Sequence, residues 1–103
     1  MIVTIVSIWV KEPFIERFIE ATKDNHRHSV SEPGNLRFDV LRHQKEPNRF
    51  TLYEAYRTEQ DVLDHKNTEH YRRWKTTVEE WMEKPREGVP HTVIAPEDPS
   101  LWK

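Results

Sequence analysis

A chain of 103 residues with 16 Lys and Arg against 18 Asp and Glu reads as one domain of formal charge -2, its signs interspersed, with no basic stripe for nucleic acid or a lipid surface. The absence of Cys excludes disulfides, thiolate metal sites and cysteine nucleophiles. The longest apolar run, IVTIVSIWV at residues 2–10, is too short to cross a membrane and lacks the flanks of a secretory signal, so the expected location is cytoplasmic.

That run is rich in β-branched residues and predicts a first strand covered on both faces. Pro13 follows where a first helical turn tolerates it, and Phe14, Ile15, Phe18, Ile19 and Thr22 recur at helical spacing toward Val30. Glu32-Pro33-Gly34-Asn35 ends that helix. A second strand is predicted over 36–43, a turn at 46–48 and a third strand over 49–57, RFTLYEAYR. Thr58 and Thr68 stand as N-caps of helices running to about Lys66 and to Lys84, the latter with Tyr71, Trp74, Val78, Trp81 and Met82 on one stripe. Pro85 stops it. A fourth strand is predicted over 91–95, HTVIA, closing a domain at residue 96, and an extended tail over 97–103.

The order β-α-β-β-α-β predicts an α+β, ferredoxin-like fold: a four-stranded antiparallel sheet with helices on one face. The other face is expected to pack sheet-to-sheet on a second copy, giving a homodimer.

Four Trp, three Tyr, four Phe and six His in so short a chain direct attention to an aromatic pocket with acid and base groups. His26 lies roughly 20° from Ile15 and Ile19 on a helical projection, so its ring points inward, either as a core histidine or as a neutral base in an apolar cavity. On the third strand, alternation puts Phe50, Leu52, Glu54 and Tyr56 on one face and Tyr53 on the other. Glu54, a carboxylate among apolar neighbours, either pairs with a cation such as Arg37 or has catalytic work. His65 flanks its short helix and looks into a cavity mouth or into water. His70 sits at the stripe edge near Trp74. No pair of histidines has chelate spacing along one helix face, and no metal site is predicted. A Gly-rich phosphate loop, a nucleophile elbow and a paired acidic motif are likewise missing.

The segments EPGNLRFDVL, RFTLYEAYRTEQ and HKNTEHY together resemble the antibiotic biosynthesis monooxygenase superfamily of small dimeric α+β barrel proteins, near its branch of phospho-autoinducer-2 isomerases and quinol monooxygenases. The resemblance implies an enzyme without metal, flavin or heme. It also implies His26, Tyr53, Glu54 and His65 as catalytic residues. Arg37, Phe38, Tyr56, His70, Tyr71 and Trp74 are the expected substrate-binding set. The leading expectation is a cofactor-independent monooxygenase of a small aromatic or quinol, deprotonated by His and reacting directly with O₂. An acid-base isomerase of a small phosphorylated carbonyl compound is the alternative, with Arg37, Lys66 and Arg72 available for phosphate. A non-enzymatic ligand-binding or stress-response dimer is the third reading.

Overall fold

The structure, a computed structural model, describes residues 1–102. Four strands form one antiparallel sheet in the order β2-β3-β1-β4: β1 (Ile2–Trp9), β2 (Asn35–Arg42), β3 (Arg49–Tyr56) and β4 (Glu87–Thr92). Helix α1 (Ile15–Ser29) connects β1 to β2, and α2 (Glu59–Lys66) and α3 (Glu69–Val78) connect β3 to β4. This is the ferredoxin-like α+β plan that the element order predicts.

Register sorts the side chains. One row across the sheet reads Val40, Leu52, Val6, Gly88, and the next reads Phe38, Glu54, Thr4, Pro90. These rows face the helices. Phe18 of α1 and Trp74 and Val78 of α3 join Ile8, Phe38, Phe50 and Leu52 in a single buried core. Within it the Trp74 indole donates to Thr22 Oγ1 over 3.0 Å, so the one polar atom of that large side chain is satisfied. The alternate residues, among them Ile5, Tyr53, Asp39 and Val89, form the opposite face.

Both predicted caps form: Thr58 Oγ1 accepts from the Asp61 amide and Thr68 Oγ1 from the Tyr71 amide. Two boundaries differ from the sequence prediction. Helix α3 ends at Val78, six residues early, and passes through a 3-10 turn at Glu79–Trp81. The end of β1 competes for this segment: the Glu83 amide donates to Trp9 O and the Lys11 amide to Trp81 O, each at 2.8 Å, and Val10 bridges Met82. The fourth strand occupies Glu87–Thr92 rather than 91–95. Its residues are exposed throughout, so it carries no apolar alternation, and Pro90 is tolerated because β4 lies at the sheet edge. In the tail, Asp98 caps a 3-10 turn at Pro99–Leu101; Lys103 lies outside the described residues.

Gly34 positions α2. It is buried between α1 and β2, its carbonyl accepts from the Arg57 amide over 3.0 Å, and a Cβ at this position would overlap the Asp61 side chain in the first turn of α2. Only glycine lets that helix come so close. One turn further along the helix is His65.

Among the described residues no helix is long and apolar enough to cross a membrane.

Candidate active site

A cavity of about 1050 Å³ opens between the helix-facing side of β1, β3 and β4, helices α2 and α3, and the 79–86 segment. Its inner wall carries Glu54, Tyr56 and His65, with Tyr71 and Trp74 alongside and Arg86 at the β4 end.

Strand alternation puts Glu54 on the core side of β3, in a row with Phe38 and Thr4, and leaves it only 8% exposed. Burial penalises the carboxylate, and the nearby Glu32 charge adds to this; together they push the Glu54 carboxyl up to about 7. Lys66 and Arg86 pull the other way more weakly. The Tyr56 hydroxyl is also buried. It has no hydrogen-bond partner among the described residues, and desolvation, followed by the Glu54 and Glu32 charges, holds it protonated far above the ordinary phenol range.

His65, 2% exposed, lies at the centre of the group. Its Nδ1 donates to Glu32 Oε2 over 2.8 Å, and His70 Nε2 donates to the same oxygen over 2.6 Å. A carboxylate only accepts, so these contacts fix both ring protons and leave the lone pair of His65 on Nε2. That Nε2 is buried, has no hydrogen-bond partner among the described residues and stands 3.5 Å from Glu54 Oε1, longer than a well-formed hydrogen bond. Desolvation pulls the His65 pKa down, and the Glu32 contact opposes it. The ring is thus a neutral base with its acceptor nitrogen on the Glu54 side, beside a carboxyl poised to be an acid.

Of the residues singled out in the sequence, Glu54, Tyr56, His65, Tyr71 and Trp74 meet in the cavity wall. His70 stands behind His65, on Glu32. Four others lie outside the wall. His26 presents its edge to Phe38, ring centroids 5.8 Å apart, with Nδ1 buried and unpartnered among the described residues. Phe38 is core and neighbours both the His26 and the His65 rings, at 5.8 and 6.1 Å between centroids. Tyr53 is on the opposite face, under the guanidinium of Arg37. Arg37 itself pairs with Asp39 at 2.6 Å, so the expected pairing with Glu54 is corrected: adjacent strand parity puts the two on different faces. Arg72 bonds Asn67 at 3.3 Å, outside the cavity wall, and Lys66 lines it.

Two residues of the site carried no sequence signal. Glu32 reads as a turn residue, and its role appears only when the turn folds against α2 and α3. Arg86 reads as loop, yet it donates to Tyr71 Oη over 3.2 Å and lies 5.3 Å from the Trp74 ring centroid. Lys84 also borders the cavity, but its ammonium sits over the Trp9 ring at 3.7 Å.

Comparison with known proteins bears on the monooxygenase reading. An isomerase of (4S)-4-hydroxy-5-phosphonooxypentane-2,3-dione from Yersinia enterocolitica is 49% identical over 93% of this chain and all of its own length. The isomerase of the same name from Photorhabdus laumondii is 42% identical over 94% of this chain and 98% of its own. A solved structure from Nitrosomonas europaea, named for antibiotic biosynthesis monooxygenases, superposes with a TM-score of 0.90 at 50% identity, covering 91% of this chain and 99% of its own. The isomerase names overturn the monooxygenase expectation: they specify a reaction, whereas the monooxygenase name repeats that of the family. Relatives of this kind are enzymes. With residues 1–77 matching the family model and similarity running over nearly the whole length, the chain belongs to the antibiotic biosynthesis monooxygenase family.

Proposed function

We propose that the chain is an isomerase that moves one proton between adjacent carbons of a small phosphorylated hydroxy-diketone. The observation that carries the reading is the His65–Glu54 pair, a free imidazole nitrogen 3.5 Å from a protonatable carboxyl, in a cavity that Lys66 and Arg86 also line. A substrate with a carbonyl next to a hydroxyl-bearing carbon needs a base for its C–H and an acid for its carbonyl oxygen. His65 Nε2 takes the proton; Glu54, pushed up to about 7 and so protonated in about half of the molecules at that pH, donates in its protonated form to the oxygen and stabilises the enediol. Returning the proton to the neighbouring carbon and releasing the proton of the first hydroxyl exchanges the carbonyl and hydroxyl positions. No electron leaves the substrate.

Glu32 keeps the His65 lone pair on Nε2, the side of Glu54, and Tyr71 and Trp74 supply an apolar wall that limits water at the enediol. Lys66 and Arg86 hold the phosphate. Arg86, held by Tyr71 and Trp74, presents a planar fork suited to two phosphate oxygens. In this arrangement the base is His65 and not His26, whose ring packs on Phe38 and does not line the cavity.

The sheet face opposite the helices supports a homodimer. Leu41 and Val89 stand about half exposed there, Val89 in the row of Ile5 and Tyr53 and Leu41 in the row beside it, with Thr51 and Ser7.

The test is turnover of the phosphorylated hydroxy-diketone by the purified chain, with His65→Asn as the variant. Wild-type isomerisation without O₂ consumption, falling by about 10²–10⁴ in kcat for the variant, is the expected result. Full activity in His65→Asn would refute the assignment.

A further inference from the structure

On the side of His65 away from the cavity, three side chains from three elements converge. Glu32 comes from the turn after α1, His65 from α2 and His70 from α3, and one ligating atom from each lies within 4.8 Å of the others. Glu32 and His70 take no part in the cavity wall, and their side chains are only 12% and 14% exposed. A carboxylate oxygen with two imidazole nitrogens is the donor set of borderline divalent ions. We propose that Glu32, His65 and His70 bind a zinc-class divalent cation, which replaces the protons shared there and locks His65 in the tautomer that cannot act as a base.

The donors are now 2.8 and 2.6 Å apart through shared protons. Ligands at about 2.1 Å from a tetrahedral ion stand about 3.4 Å from one another. The two Glu32 contacts therefore have to lengthen by about 0.6 and 0.8 Å, and Glu32 is placed to do so: its side chain has several rotatable bonds and leaves from a turn, while both imidazoles are carried by helices. Each imidazole then coordinates through the nitrogen that carries its proton. Those protons move through solvent to the other ring nitrogens, from Nδ1 to Nε2 in His65 and from Nε2 to Nδ1 in His70, with no oxidation or reduction. His65 Nε2, previously a free lone pair, becomes N–H and finds Glu54 Oε1 as its acceptor 3.5 Å away. Two carboxylates, Glu32 and Glu54, stand near the added double charge. The base is blocked from behind, with the cavity unobstructed.

Loss of turnover rests on the proposed role of His65; binding does not. The experiment titrates Zn²⁺ into the full chain by equilibrium dialysis, with ¹⁵N NMR of the imidazoles reading the tautomers. One ion per chain, a protonated His65 Nε2 in the bound form, and affinity weakened about tenfold or more in His70→Asn and Glu32→Gln are expected. Unchanged affinity in both variants, or a bound ion that leaves His65 Nε2 unprotonated, overturns the site; the tautomer readout needs no variant to fold. In the same samples, a kcat that falls with Zn²⁺ at constant KM supports a block from behind. If the ion binds with the tautomer change and turnover is untouched, the site stands and the assignment of His65 as base falls.

Discussion

Replacing Glu54 by Gln removes an ionisable group whose protonation is tied to folding. In the folded chain its carboxyl is pushed up to about 7 from the ordinary 4.5, chiefly by burial. Between those values the folded state keeps the proton and the unfolded state has released it. The folded state therefore binds more protons, and stability falls as pH rises from about 4.5 to about 7, staying low above that. A shift of about 2.5 units corresponds to roughly 3 kcal/mol at full effect. The 8% exposure of Glu54 leaves little solvent to screen it. His65 works in the opposite sense over the acid side of its range: its pKa is lowered by burial, so charging it below about 6.5 disfavours the folded state. Both proteins keep His65, and because it lies 3.5 Å from Glu54 the difference between their curves reads Glu54 together with its coupling to that ring. Urea denaturation at intervals from pH 5 to 8 is the assay. Glu54→Gln should match the wild type near pH 5 to within about 1 kcal/mol and exceed it by about 2–3 kcal/mol at pH 8, with equal m-values. Parallel stability curves for the two proteins would refute the claim that the folded chain holds this proton.

Arg86→Ala should raise KM for a phosphorylated substrate by about 10–100-fold, as expected for losing a charged hydrogen bond, and leave a dephosphorylated analogue nearly unaffected in steady-state kinetics. Gly34→Ala should cost about 1–3 kcal/mol in chemical denaturation, because the new methyl meets Asp61 and forces α2 outward. Leu41→Asp combined with Val89→Asp should convert a dimer to a monomer in sedimentation equilibrium, with the far-UV spectrum unchanged; a wild-type chain that sediments as a monomer would refute the dimer.

The fold was legible because its signals are local and agree with one another. The β-branched run of β1, the 3.6-residue stripe of α1 and the threonine caps of α2 and α3 each name one structure, and their order leaves few topologies. The misplaced strand β4 had no such signal: an edge strand whose side chains all face water has no apolar face to alternate, and its proline argues against a strand. The end of α3 was hidden for another reason, since residues 81–83 leave the helix to bond the end of β1, a partner some 70 residues away in sequence.

The site divides along similar lines. Glu54 stood out as a charge at an apolar position, a mismatch visible in a single strand. Parity alone also separates it from Tyr53. His65 was visible only as a flank residue, and nothing local says which side of α2 the turn at Gly34 would cover. Glu32 was not legible at all, because its function is the meeting of three elements and none of them encodes it separately.

The cavity is walled unevenly. On one side stand core-anchored residues of β1, β3 and α3; on the other is β4, exposed along its whole length and bonded only to β1. Pro90 removes one amide from the strand. A strand with so little buried surface opens at a free-energy cost far below that of global unfolding, and its amides should exchange hydrogen earliest of the four. β4 is therefore the wall of the cavity that yields most easily, and stapling β4 to β1 would stiffen the cavity rim while leaving the Glu54–His65 pair untouched.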